Sequence, residues 1–95
     1  MKLADERVIF RLHAVRRMFE RGINDTDVHH VLLTGEVVET YLDDSPYPSR
    51  LMLGWRGSRP LHVVVADNMD ENTLIVITAY EPRDNWWESS FRRRV

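Results

Sequence analysis

The chain has 95 residues, of which 43% are hydrophobic and 29% are charged, with a formal net charge of −2 and no cysteine. This composition is typical of one small globular domain, so we predict a single domain over residues 1–95. The lack of cysteine excludes disulfides, thiolate nucleophiles and cysteine-ligated metals. No apolar run is long enough for a membrane span or a signal peptide, so we expect a cytoplasmic protein with no membrane partner.

The first predicted element is an amphipathic helix over residues 13–21. Its apolar residues share one side at helical spacing: Ala14, Val15, Met18 and Phe19. Its polar residues fall opposite them: His13, Arg17 and Glu20. Gly22 is the expected end of the helix, because glycine readily adopts the left-handed conformation found there. The preceding residues 8–12 suit either a short strand or the lead-in to the helix.

A second helix is predicted to begin after Asn24 and to continue to Gly35. Asn24 is a suitable N-cap, Asp27 lies in the first turn, and Gly35 is a second suitable left-handed terminator. Two short helices therefore follow each other across a two-residue turn.

From residue 36 the apolar residues alternate with a period of two, which indicates strands. Four runs are expected to be strands: residues 37–42, 50–55, 61–66 and 73–80. Their short connections predict an antiparallel meander, and the third and fourth runs are apolar on both faces, as in central strands. We therefore predict an α+β fold in which two N-terminal helices pack on a four-stranded antiparallel sheet.

Three side chains are candidates for proton transfer. His13 and Arg17 lie on one helix face and suit a phosphate contact, although a solvated histidine is the simpler interpretation. His62 lies within an apolar strand, where it is either catalytic or a core histidine bonded to a backbone carbonyl. Tyr80 ends the last strand and offers a hydroxyl group. Whether His62 and Tyr80 share a face depends on the pairing register, which the sequence leaves open.

The C-terminus combines aromatic residues with a run of arginines: Trp86, Trp87, Phe91, Arg92, Arg93 and Arg94. Aromatic rings beside guanidinium groups suit single-stranded nucleic acid, but such a cluster also seals a small core or docks a protein partner. The modest negative net charge argues against a broad electrostatic grip on nucleic acid. His29 and His30 are adjacent on a helix and do not face one ligand, so we expect no metal and no cofactor.

The motif His13-Ala-x-x-Arg17-Met18-x-x-Arg21-Gly-Ile, followed by Pro60-Leu-His-Val-Val and Thr78-Ala-Tyr80-x-Pro82, resembles a bacterial family of unknown function, family 4258. Arg11 departs from the Ser or Thr usual in that family, which leaves the helix cap open. Members resemble RelE-type small toxins in size and in helix-then-sheet order, so the resemblance implies a RelE- or barnase-like fold and a small antitoxin partner. Fold analogy alone does not confer function.

Together these observations predict a metal-independent endoribonuclease toxin that acts on RNA or ribosome-bound mRNA. In such a reaction the ribose 2′-hydroxyl attacks the adjacent phosphate, which requires an acid, a base and a cation. His13, His62 and Tyr80 are the predicted catalytic residues: the two histidines are the acid and the base, in an order left open, and Tyr80 is an orienting hydroxyl. Arg17 and one arginine of the run Arg92, Arg93 and Arg94 are the predicted phosphate ligands, with Arg92 and Arg93 preferred. The alternative is a non-catalytic module that binds a protein through its aromatic and arginine-rich end.

Overall fold

The computed structural model describes residues 7–83 and 87–94. Its elements in chain order are β1 (Arg7–Phe10), α1 (Leu12–Arg21), α2 (Asp25–Thr34), β2 (Glu36–Tyr41), β3 (Ser49–Arg56), β4 (Arg59–Asn68) and β5 (Thr73–Tyr80). None of the helices in the described ranges is both long and apolar enough to cross a membrane.

The five strands form one mixed sheet in the order β1-β5-β4-β3-β2. Strands β2 to β5 pair antiparallel as a meander, as the alternating pattern predicts. The prediction of four antiparallel strands misses β1, which pairs parallel to β5 from Arg7 opposite Thr73 to Phe10 opposite Val76. Only four residues long, β1 carries too short an alternation to be distinguished from a helix lead-in.

Both helices cover the same face of the sheet, and the main core lies between the two layers. From α1 only Ala14 and Met18 are buried there, beside strand residues such as Leu61 and Val63. The predicted apolar face of α1 is therefore partly wrong, because Val15 is 46% exposed and Phe19 is 86% exposed. The helix is rotated so that its Ala14–Met18 edge meets the sheet, and Leu12, Val15 and Phe19 do not.

The helix ends follow from local side-chain chemistry. Gly22 ends α1 at a φ of 66°, the left-handed conformation expected of it. Arg11 precedes α1 without a side-chain cap, whereas Asn24 and Asp27 form a reciprocal capping box at the start of α2. Gly35 was predicted to be left-handed, but its φ is −77°. Glycine is needed there because a Cβ atom would lie 2.5 Å from the Val31 carbonyl oxygen.

Candidate functional site

His62 lies on the sheet face that the helices do not cover. Its neighbours in β4, Leu61 and Val63, belong to the helix-side core, and side chains alternate along a strand, so the His62 ring points to the opposite face. Tyr80 of β5 is directly opposite His62 in the register, which puts both side chains on that face. His62 is fully buried, whereas Tyr80 is only partly buried.

Two hydrogen bonds define the state of the His62 ring. Nε2 lies 2.9 Å from the carbonyl oxygen of Phe91, and because a carbonyl only accepts, Nε2 carries a proton. Nδ1 lies 3.3 Å from the Tyr80 hydroxyl. In the neutral ring, Nδ1 accepts a hydrogen bond that this hydroxyl donates. Burial lowers the pKa of His62 and raises the pKa of Tyr80, so both groups are held in their neutral forms.

The C-terminal segment, residues 87–94, covers His62. Trp87 meets the His62 ring edge-on with 4.4 Å between centroids, and only 3% of Trp87 is exposed. Phe91 packs edge-on against Trp55 at 6.1 Å. Trp87 thus seals a small core, one of the alternatives that the sequence left open. Trp86 lies outside the described residues.

Ion pairs fasten the C-terminal segment to the edge strand β2. Arg92 Nε lies 2.6 Å from Glu36, and Arg94 binds Glu39 through Nε and Nη2 at 3.0 and 3.1 Å. The Arg94 guanidinium also lies 4.6 Å from the centre of the Trp87 ring. Hydrogen bonds from Arg94 and then from the Tyr41 hydroxyl lower the pKa of Glu39, against the opposing effect of burial.

A pocket of about 630 Å³ lies beside the end of β5, with Tyr80 in its wall. Among the described residues, those that line it are Arg21, Tyr80, Glu81, Pro82, Arg83, Trp87 and Arg94. Arg21 is oriented by a 2.9 Å hydrogen bond from Nη1 to the Ala79 carbonyl. Three arginines from separate parts of the chain therefore line one pocket with Tyr80, a composition suited to an anion such as phosphate.

The structure does not bring all the predicted site residues together. His13 is exposed on α1, across the sheet from the His62 ring, so the two histidines do not share a cleft. Arg17 is also exposed, pairs with Glu20 at 3.2 Å and does not line the pocket. Arg92 is held by Glu36, and Arg93 is exposed outside the pocket lining.

The pairing of His62 with Tyr80 is present, and the arginines that line the pocket overlap only in part with the predicted phosphate ligands. Arg94 belongs to the predicted C-terminal run, whereas Arg21 and Arg83 were not among the predicted ligands. Arg21 lies one turn after Arg17 on α1, but its hydrogen bond to the Ala79 carbonyl is a long-range contact that sequence spacing does not reveal. Among the described residues, no three histidine or acidic side chains cluster to hold a metal ion.

Comparison with known proteins adds a family but no characterised relative. No curated protein and no solved structure gives a significant match to the sequence. The model of the domain of unknown function DUF4258 matches residues 10–81, a range that contains α1, His62 and Tyr80 and ends before the C-terminal segment. Since this match covers most of the chain, the protein belongs to the DUF4258 family.

Proposed function

We propose that this protein is a cytoplasmic, RelE-like endoribonuclease toxin that cleaves RNA or ribosome-bound mRNA without a metal and is paired with a small antitoxin. The observation that carries the proposal is the Tyr80 hydroxyl, bonded to the buried His62 and placed in the wall of a pocket with three arginines. The three arginines of the pocket are suited to bind a phosphodiester. His62 and Tyr80, which we call the dyad, are suited to transfer a proton.

The proton route follows from the tautomer of His62. Because its Nε2–H is committed to the Phe91 carbonyl, the free lone pair on Nδ1 faces Tyr80. As the 2′-hydroxyl attacks the phosphorus, its proton passes to the Tyr80 oxygen while the Tyr80 proton passes to His62 Nδ1. The P–O5′ bond breaks to leave the 2′,3′-cyclic phosphate, and the leaving 5′-oxygen takes a proton from solvent. A lowered pKa keeps His62 neutral and therefore able to accept this proton near pH 7.

The negative charge that develops on the phosphate is stabilised by Arg21, Arg83 and Arg94. A guanidinium group has five N–H donors, and both Arg21 and Arg94 still have donors beyond those used within the protein. A bound phosphate between them gains charge on its equatorial oxygens as the 2′-oxygen attacks, and fixed guanidinium groups stabilise that charge.

The non-catalytic alternative is favoured by one specific observation, the complete burial of His62. Its two hydrogen bonds and the covering Trp87 are also what a structural histidine requires. In that case the arginine-lined pocket binds an anion and performs no chemistry.

The decisive experiment removes one oxygen atom. The purified full chain is incubated with single-stranded RNA or ribosome-bound mRNA in the presence of a chelator, and 2′,3′-cyclic phosphate ends are measured. Tyr80→Phe is expected to slow cleavage by about 100-fold or more, the usual scale for a general acid or base. Tyr47→Phe is the matched control, because its hydroxyl contacts Asn68 and does not line the pocket.

A second pair of variants tests whether the arginines of the pocket bind RNA. Arg83→Gln is expected to weaken RNA binding, whereas Arg16→Gln on α1 is expected to leave it unchanged, since Arg16 does not line the pocket. Cleavage by Tyr80→Phe at the wild-type rate would exclude the dyad mechanism. RNA binding without cleavage by the wild-type protein would exclude the proposed ribonuclease activity.

A further inference from the structure

The rotation of α1 leaves an apolar stripe on its outer surface. Leu12, Val15 and Phe19 are 65%, 46% and 86% exposed, and their spacing of three and then four residues aligns them along one side of the helix. Phe19 in particular buries almost none of its ring within the domain. An aligned set of large exposed apolar side chains is typical of an interaction surface, unlike one scattered exposed residue.

The charged residues that border the stripe are mainly basic. Arg11 precedes it and Arg16 lies beside it, and α1 has no acidic residue in its first turn. Glu20 is the only acidic residue of α1, and it is bonded to Arg17. Among residues 7–83 and 87–94, no ion pair involves Arg11 or Arg16. This basic border contrasts with the net charge of −2 for the whole chain.

We propose that the apolar stripe of α1 binds an acidic amphipathic helix of a partner protein. The stripe extends over two turns, about 10 Å, which matches apolar anchors at positions i, i+3 or i+4 and i+7 of a helical ligand. Acidic residues beside those anchors would face Arg11 and Arg16. The inference is independent of the proposed ribonuclease activity.

A symmetric dimer through this face is disfavoured by the same charges. In a two-fold interface each surface meets its own copy, so the basic borders of the two α1 helices would face each other. Like charges opposed across an interface cost affinity. A second copy is therefore the poorer occupant, and the experiment tests it directly.

The test uses three fluorescent 18-residue helical peptides with the same leucine stripe and with Glu, Gln or Lys at the flanking positions. Fluorescence anisotropy with the full chain measures each Kd at low and at moderate salt. The Glu peptide is expected to bind at least tenfold more tightly than the Lys peptide, with a preference that shrinks as salt is added. Equal affinities, or no binding of the Glu peptide below about 1 mM, would overturn the proposal.

Three variants locate the binding surface. Phe19→Ser is expected to weaken binding of the Glu peptide at least tenfold, and Arg16→Glu is expected to reverse the preference between the Glu and Lys peptides. Leu33→Ser is the matched control, because Leu33 is 60% exposed on α2, outside the stripe. Full affinity in Phe19→Ser would exclude the stripe as the site. Self-association of the wild-type chain that Phe19→Ser abolishes would make a second copy the occupant instead.

Discussion

The C-terminal segment and helix α1 contain the same kinds of residue in opposite environments. Both combine large apolar side chains with arginines, yet Trp87 is 3% exposed and Phe19 is 86% exposed. The segment's Arg92 and Arg94 form ion pairs with β2, whereas the apolar stripe of α1 has a border of arginines that meet solvent. The comparison shows that residue type alone does not identify an interaction surface.

The difference arises from how the sheet is covered. Both helices pack on one face, and the other face carries apolar residues such as Leu53 beside His62. These apolar residues are stable only when shielded from water, and Trp87 of the C-terminal segment shields part of this face by packing on His62. Helix α1 meets the sheet through Ala14 and Met18, so the apolar stripe is left outside. We therefore expect the segment to contribute stability and the stripe to contribute binding.

The largest expected effect comes from truncating the two aromatic side chains. Trp87→Ala is expected to lower the free energy of unfolding by about 3–5 kcal/mol, because it leaves a cavity against His62. Phe19→Ala is expected to change it by less than about 0.5 kcal/mol, since the ring is already in water. Urea unfolding followed by circular dichroism measures both. Similar losses for the two variants would remove the distinction between the regions.

Much of the fold follows from the sequence. The change from helical to alternating periodicity near residue 36 predicts both helices and all four meander strands, and Gly22 and Asn24 mark the helix ends. Strand β1 escapes prediction because its parallel pairing with β5 is a long-range contact that no local pattern encodes. The rotation of α1 escapes it as well, because an apolar side chain can face either the sheet or a partner.

The site is less predictable than the fold. An isolated histidine in an apolar strand indicates a buried polar contact, and the structure provides one through Tyr80 and Phe91. Its partners depend on the register of β4 against β5 and on the path of the C-terminal segment. The pocket combines Arg21 and Arg94, which are far apart in the chain, so sequence spacing does not reveal it. The composition shows that the chain has many arginines, but it does not show which of them line the pocket.

Acidification should lower the free energy of unfolding, because His62, which the C-terminal segment covers, resists protonation in the folded protein. The unfolded chain binds a proton at His62 near the ordinary pKa of 6.5, whereas burial lowers the pKa in the folded protein. The unfolded state thus binds more protons between these two values, and stability is lost as the pH falls from about 6.5 towards the folded pKa. The free energy of unfolding, measured from pH 8 to pH 5, should show this loss.

His62→Gln should remove that pH dependence between pH 8 and pH 5. The separate loss that Glu39 causes, since its pKa is lowered from 4.5 in the folded protein, lies below this range. His13→Gln is the matched control for a histidine substitution, because this exposed histidine lies across the sheet from the His62 ring. An unchanged profile in His62→Gln would assign the acid sensitivity to another group.

The smallest expected effects come from neutralising one acid in each region. Glu39→Gln weakens its pair with Arg94 and is expected to cost about 1 kcal/mol, a modest value because Arg94 is 57% exposed. Glu20→Gln breaks the more exposed pair with Arg17 and is expected to cost less than about 0.5 kcal/mol. Urea unfolding gives both values, and hydrogen exchange at the Glu88 amide, which donates to the Arg93 carbonyl at 2.9 Å, reports on the segment itself. Glu39→Gln should accelerate that exchange and Glu20→Gln should not, because Glu39 pairs with Arg94 of the segment whereas Glu20 pairs with Arg17 of α1. Equal exchange rates in the two variants would show that the Glu39–Arg94 pair does not help to hold the segment in place.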